Sequence, residues 1–196
     1  KKDFLDYTGA LDISLNRLTV GNEFLKKQNL KIDFVVNGDA SNLPFPDNSF
    51  DMVYTSHCLE QVPHLFVKAV NECGRVATKY VVLIEPSYES GSEVTKNHIY
   101  KKGYIKITSN LLKKLDLSIV FRKILPIKTF HNGSEIIILK KNNNEKENIK
   151  KIQFLCPSCK SLLIEKEKKL ICKTENYYFD IVSTIPKLTI FDKKKI

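Results

Sequence analysis

Apolar residues fall in short runs that alternate with helically spaced sets, and that alternation predicts a layered α/β domain. Thr8 to Ile13, Ile32 to Val36, Phe50 to Thr55 and Tyr80 to Ile84 read as strands, the later three of the kind buried on both faces of a parallel sheet. Between the first two, Ser14 stands where a helix N-cap belongs, and Leu15, Leu18, Phe24 and Leu25 recur at roughly helical spacing up to Gln28 and Asn29. Pro44 and Pro46 punctuate the loop between the second and third runs. Val62, Leu65, Phe66, Ala69, Val70 and Cys73 then place one apolar face on a helix over 62–76. Strand and helix in alternation predict an α/β fold with a doubly wound, mostly parallel sheet.

Past residue 85 the pattern changes. Pro86 to Lys102 has no clear period and is rich in Ser, Glu, Lys and Tyr, which predicts a substrate-side loop or lid. Gly103 to Leu115 reads as a helix, and Ser118 to Ile127 and Ser134 to Lys140 read as two strands joined through the hairpin signal Phe130-His131-Asn132-Gly133. Lys140 to Asn148 is charged, Asn-rich and has nothing to bury. The predicted organisation is a domain over 1–140, a linker over 141–151 and a small module over 152–196. A module of that size needs a metal, a disulfide or a partner surface in addition to its core.

An open parallel sheet binds its ligand outside the carboxyl ends of its strands, and two polar clusters, Asp39-Ala40 and Ser56-His57-Cys58, fall at that edge. The run Gly38-Asp39-Ala40-x-x-Leu43-Pro44-Phe45-Pro46-Asp47-x-Ser49-Phe50-Asp51-x-Val53 resembles the middle of a class I S-adenosylmethionine-dependent methyltransferase. Upstream, Tyr7-Thr8-Gly9-Ala10-Leu11-Asp12-Ile13-Ser14 is similar to that family's second strand, which ends in an acidic residue for the cofactor's ribose. The resemblance covers residues 1 to about 140. The family's first strand and glycine-rich loop have no counterpart, since no Gly-x-Gly-x-Gly-like run occurs in the chain. With an opening of Lys1-Lys2-Asp3 and no initiator Met, the chain is expected to be a fragment that lacks an amino-terminal segment.

The resemblance implies S-adenosylmethionine as cofactor, held by Asp12, Ile13, Asp39, Ala40, Leu43 and Ser56. A carboxylate at Asp12 can accept hydrogen bonds from both ribose hydroxyls, although Asp followed by Ser also reads as a strand end capping a helix. Asp39 would take the exocyclic amino group of adenine and the Ala40 amide would face the ring, with Leu43 and Phe45 as apolar walls. A plain Asx-turn after Gly38 is the competing reading. At Ser56 to Glu60, His57 is the candidate general base, because imidazole titrates near neutrality, while a lone His at a strand end also serves as a structural hydrogen-bonder. Glu85 and His98 are lesser candidates.

Cys156-x-x-Cys159 followed after twelve residues by Cys172 has metal-ligand spacing. The position that would complete a second Cys-x-x-Cys is Glu175. Either the three thiolates and a carboxylate hold Zn, or the pair is the remainder of a lost site and Tyr177, Tyr178, Phe179 and Ile185 hold the module by packing. The order Leu155-Cys-Pro-x-Cys-Lys, Leu170-Ile-Cys, Tyr178-Phe-Asp-Ile and Ile185-Pro-Lys-Leu resembles the small zinc-ribbon activator proteins. That resemblance implies a zinc ion and a protein partner through the module, and those activators pair with methyltransferases acting on tRNA, ribosomal RNA and release factors.

Net charge is +10, and it is uneven: residues 1–139 hold 18 basic against 15 acidic side chains, while 140–196 hold 14 against 7. All but Arg17, Arg75 and Arg122 are lysines, so the tail lacks the planar forks suited to bidentate phosphate recognition. A solvated lysine face is the simpler reading, and nonspecific contact with a polyanion the alternative. No run approaches the roughly 20 apolar residues of a membrane helix, and a cytoplasmic protein is expected. The expected reaction is methyl transfer to an N, O or C nucleophile on a small molecule, glycan, RNA or protein. A non-catalytic scaffold on the same core is the rival. Gly38-Asp39-Ala40-x-x-Leu43-Pro44 speaks against a nicotinamide-dependent oxidoreductase.

Overall fold

The computed structural model describes residues 7–128, 133–142 and 152–196. In chain order its elements are β1 (Gly9–Asp12), α1 (Leu15–Lys27), β2 (Phe34–Gly38), β3 (Phe50–Ser56), a 3-10 turn (Leu59–Gln61), α2 (Phe66–Val76), β4 (Ala77–Pro86), α3 (Glu93–Lys102), α4 (Ser109–Leu112), β5 (Ser118–Lys128), β6 (Gly133–Lys140), β7 (Ile164–Lys166), β8 (Lys169–Cys172), β9 (Tyr177–Val182), β10 (Ile185–Leu188) and β11 (Lys194–Lys195). They gather into two compact units, one of residues 1–46 with 151–196, the other of residues 47–150.

In the first unit the strands run β1-β2-β10-β9-β8-β7, with β11 on β9. β1 lies parallel to β2 from Gly9 opposite Phe34 to Asp12 opposite Asn37. β10, from the C-terminal module, lies parallel along the other edge of β2, Lys187 opposite Asn37 and Leu188 opposite Gly38. Flanked on both sides, β2 buries Val35, Val36 and Asn37. Ser14 caps α1 by accepting from the Arg17 amide at 3.3 Å. Leu18 of that helix packs with Val35 and with Ile185 of β10, and Leu15 and Ile32 rest against the cluster. Each such side chain, once buried, contributes about 1.5–3 kcal/mol, so the module shares a core with α1 and β2.

A second seam joins the loop after β2 to the segment bearing Cys156 and Cys159. The Leu155 amide donates to the Pro44 carbonyl at 2.9 Å, Asn42 Nδ2 to the Pro157 carbonyl at 2.8 Å, and Lys160 Nζ to the Leu43 carbonyl at 3.2 Å. Phe45 sits between Phe34 and Phe154, with ring centroids 5.8 and 6.0 Å away. Carbonyls of a proline-punctuated loop have no ladder of their own, and the Leu155 amide and Lys160 ammonium satisfy two of them.

The second unit carries the sheet β3-β4-β6-β5. β3 and β4 are parallel, and β4–β6 and β6–β5 are antiparallel. The apolar face of α2 buries Phe66, Ala69, Val70, Cys73 and Val76, the spacing expected from the sequence. The sheets are mixed, which corrects the expectation of a mostly parallel one: β6 returns between β4 and β5, and the C-terminal strands run antiparallel among themselves.

Two helix assignments also change. Part of the segment read as a lid is helix α3, capped by Ser92, which accepts from the Thr95 amide, and closed by Gly103 in the left-handed region at φ 66°. Only Thr95 and Ile99 of that helix are buried, so it shows almost no apolar period. The helix expected over 103–115 contracts to α4, because Gly103 ends α3 and Thr108 opens the next turn as a new cap. Residues 130–132 of the hairpin signal and 143–151 of the expected linker lie outside the described residues.

Candidate functional site

Asp12 and Asp39 stand at the carboxyl ends of β1 and β2 in the first unit. Asp12 Oδ1 accepts from the Ser14 amide at 2.7 Å, and Oδ2 lies 4.0 Å from the Arg17 guanidinium. A carboxylate offers about four lone-pair positions, so both contacts leave acceptor capacity. Asn37, which sequence reasoning did not single out, is 3% exposed. Its Nδ2 donates to the carbonyls of Asp12 at 3.1 Å and Ile13 at 2.8 Å. The strand end that presents Asp12 is thereby pinned from the neighbouring strand, and Ile13 beside it is 62% exposed.

Asp39 makes the Asx-turn: Oδ1 accepts from the Ser41 amide at 2.7 Å, and the Asn42 amide reaches the Asp39 carbonyl at 3.0 Å. The Ala40 amide has no hydrogen-bond partner among the described residues. Leu43 and Phe45 are 5% and 4% exposed and back the loop from the core side.

In the second unit, β3 and β4 place Ser56 opposite Ile84, and the chain leaves β3 through His57 at φ 48°. That left-handed conformation is uncommon for a residue with a side chain, though less so for His. It is held by the His57 amide donating to the Ile84 carbonyl at 2.9 Å. Glu85, fully buried at the end of β4, organises the next turn. Oε1 accepts from Thr55 Oγ1 at 3.1 Å and from the amides of Cys58 at 3.3 Å and Leu59 at 3.2 Å, and Oε2 accepts from the Glu60 amide at 3.2 Å. Burial nevertheless raises the Glu85 carboxyl above the usual range, with the amide of Leu59 and the hydroxyl of Thr55 pulling the other way.

Both His57 ring nitrogens are engaged, Nδ1 with Glu60 Oε2 and Nε2 with Ser134 Oγ, each at 3.0 Å. Glu60 is 5% and Ser134 8% exposed. A carboxylate at Nδ1 fixes the proton there and leaves Nε2 to accept from the serine hydroxyl. Ser134 is 77 residues away in the chain, and no local signal marks it. His98 packs its ring against Tyr104 at 5.9 Å.

The three cysteines converge: the sulfurs of Cys156, Cys159 and Cys172 all lie within 4.8 Å of one another. Cys159 Sγ is 3.5 Å from Cys172 Sγ, and Ser161 Oγ approaches the two at 3.0 and 3.3 Å. None is in a disulfide. Among the described residues no helix is long and apolar enough to cross a membrane.

Residues 3–84 match the model of the methyltransferase domain family. Demethylmenaquinone methyltransferase of Anoxybacillus flavithermus is 42% identical over 68 residues, which are 35% of this chain and 28% of that protein. The enzyme of the same name from Staphylococcus haemolyticus is 47% identical over 67 residues, 34% of this chain and 27% of that protein. The chain thus spans less than a third of the length of these curated relatives. Among solved structures, an S-adenosylmethionine-dependent methyltransferase of Methanosarcina mazei aligns with a TM-score of 0.55 at 18% identity, over 68% of this chain and 81% of its own. Magnesium protoporphyrin IX methyltransferase of Synechocystis, solved with bound S-adenosylhomocysteine, gives 0.55 at 12% identity over 69% of this chain and 64% of its own. The chain therefore carries the fold of the class I S-adenosylmethionine-dependent methyltransferases.

Proposed function

We propose that the protein transfers the methyl group of S-adenosylmethionine to an N, O or C nucleophile. The observation that carries this reading is the end of β2, where the Asp39 carboxylate, an acceptor, adjoins the Ala40 amide, a donor with no partner among the described residues. One acceptor and one donor at fixed separation suit the edge of an adenine. Asp12, on the adjacent parallel strand, supplies the acceptor for ribose hydroxyls, exposed Ile13 an apolar surface, and Leu43 the support beneath the loop. The match of residues 3–84 to the methyltransferase domain family covers both acidic strand ends.

Bound S-adenosylmethionine supplies an electrophilic methyl carbon on a sulfonium. Displacement at that carbon needs alignment and exclusion of water more than acid or base help. Ser56 is assigned to the methionine part of the cofactor. Where the acceptor must lose a proton, His57 Nε2 takes it by way of the Ser134 hydroxyl from which it accepts, with Glu60 at Nδ1 fixing the tautomer and steadying the imidazolium. Cys156, Cys159 and Cys172 are assigned to a structural zinc ion. The acceptor belongs to no narrower class than small molecule, glycan, RNA or protein, because the relatives that act on demethylmenaquinone are matched over 28% of their length or less.

Isothermal titration with S-adenosylmethionine tests the cofactor assignment. The wild-type chain is expected to bind, and Asp39→Asn to bind about tenfold more weakly. That substitution keeps an oxygen for the Ser41 amide but brings an NH2 group to face the adenine amino group. Absence of uptake by the wild type, or equal affinity in Asp39→Asn, contradicts the assignment.

A further inference from the structure

Between Thr95 and Leu115 the chain carries six lysines and no acidic residue, a local excess hidden in the near-balance of residues 1–139. Glu93 takes Lys96 at 3.0 Å, and Arg122 takes Glu89 at 2.8 Å. Among the described residues Lys101, Lys102, Lys106, Lys113 and Lys114 have no carboxylate partner. On a convex surface, solvent screening would account for such a cluster. Here the backbone makes a concavity instead. Gly103 stops α3, residues 104–107 run on without helix or strand, and Thr108 caps α4. The Tyr104 amide turns back to the Ile99 carbonyl at 3.0 Å, and the Ile105 amide donates to the Glu60 carbonyl at 2.9 Å. The cleft that results, lined from both helices and the segment joining them, holds about 600 Å³, inside the roughly 300–1,000 Å³ of small-molecule sites. Ile99 and Ile105, both buried, give it an apolar lining, Tyr100 and Tyr104 aromatic surface, and Lys106 and Lys114 two cations. Lys106 Nζ stands 5.5 Å from the ring centroid of Tyr88 and 5.2 Å from that of Tyr100, which restrains a flexible ammonium beside the cleft. Thr108 Oγ1 accepts from the Leu111 amide at 3.1 Å, so its hydroxyl hydrogen is left to donate.

We propose that this cleft binds an aromatic acid, with its ring system against Ile99, Ile105 and the tyrosines and its carboxylate or phosphate on Lys106 and Lys114. Each half of the lining selects one half of the ligand. An inorganic anion would leave the apolar surface wet, and a neutral ring would leave the lysines without a counter-charge. A membrane is flat on this scale and a nucleic-acid backbone presents its phosphates in a row, whereas a single concavity suits one compact molecule. Ser56, His57 and Ser134 do not line the cleft, so it is a site additional to the one assigned to methyl transfer. The bond from the Ile105 amide to the Glu60 carbonyl nevertheless ties it to the turn whose Glu60 carboxylate orients His57.

Isothermal titration of the full chain with 2-naphthoate, and with 2-naphthol as its neutral counterpart, tests the assignment. The wild type is expected to bind the acid at least about tenfold more tightly than the alcohol. Lys106→Met, which keeps an apolar stem and removes the charge, should weaken naphthoate about tenfold and leave naphthol unchanged. Tyr100→Ala should weaken both. Lys106 and Tyr100 are exposed, so neither substitution should move the melting temperature, which circular dichroism checks. Saturating naphthoate should slow hydrogen exchange at the Ile105 amide. No uptake of the acid, equal affinity for acid and alcohol, or naphthoate binding untouched by both substitutions overturns the proposal. So does a wild-type chain that ignores naphthoate yet binds phosphatidylglycerol vesicles or a single-stranded oligonucleotide through Lys106, since the lysines then serve a macromolecular polyanion.

Discussion

Glu85→Ala is expected to lower the melting temperature by about 10 °C. The substitution removes the acceptor for four donors at once: the Thr55 hydroxyl and the amides of Cys58, Leu59 and Glu60. A buried donor left without a partner costs about 1–3 kcal/mol. Partial rescue by entering water brings the total to about 3–5 kcal/mol, and each kilocalorie corresponds to about 2–4 °C in a chain of this size. Calorimetry reads the global loss. Amide hydrogen exchange at Cys58, Leu59 and Glu60 should accelerate more than at the far end of the β5–β6 ladder, where Ser118 stands opposite Lys140, which localises the damage to the turn. An unchanged melting point would remove Glu85 as the organiser of that corner.

The pH dependence has a definite sign. Burial holds the folded-state carboxyl of Glu85 above its unfolded value, so its contribution to stability is fully present below the unfolded value and is lost as pH rises through the folded one. The gap in melting temperature between wild type and Glu85→Ala should therefore widen on acidification from neutrality.

The second large effect is on cofactor affinity. Asp12→Ala should weaken binding of S-adenosylmethionine about 100-fold in isothermal titration, since hydrogen bonds to a charged acceptor are each worth about 1.5–3 kcal/mol and every 1.4 kcal/mol is tenfold. Fold stability should change little. The helix cap is Ser14, which keeps its bond from the Arg17 amide, and what is lost is the bond from the Ser14 amide to Asp12 and a 4.0 Å ion pair with the exposed Arg17 that is worth little. A drop of less than threefold would mean that Asp12 serves only the strand-to-helix turn.

Most of the scaffold that presents these residues was readable from the chain because it is local. The runs expected as strands at 32–36, 50–55 and 80–84 overlap β2, β3 and β4, and the 66-69-70-73 spacing of α2 matches the face it buries. α3 was hidden because its side chains face solvent, Tyr100 at 73% and Val94 at 51% exposure, so only its caps at Ser92 and Gly103 carried a signal. The convergence of Cys156, Cys159 and Cys172 followed from spacing. Asn37, Glu85 and Ser134 in their supporting roles did not, because each acts on groups 24 to 77 residues away. The lateral pairing of β10 with β2 is likewise invisible to periodicity: strand partners are chosen by three-dimensional fit, and Ile185-Pro-Lys-Leu reads the same whichever edge it joins.

The seam between residues 42–45 and 154–160 has a consequence for regulation. Three hydrogen bonds and a pair of phenylalanines join the loop that follows Asp39 to the segment that holds two of the cysteines, so the sites proposed for the nucleoside and for zinc lie on adjoining chain that would couple them mechanically. Coupling of this kind is reciprocal: whatever zinc adds to retention of the nucleoside, the nucleoside adds to retention of zinc. Chelation would then register as a loss of cofactor affinity, and starvation for the cofactor would loosen the metal.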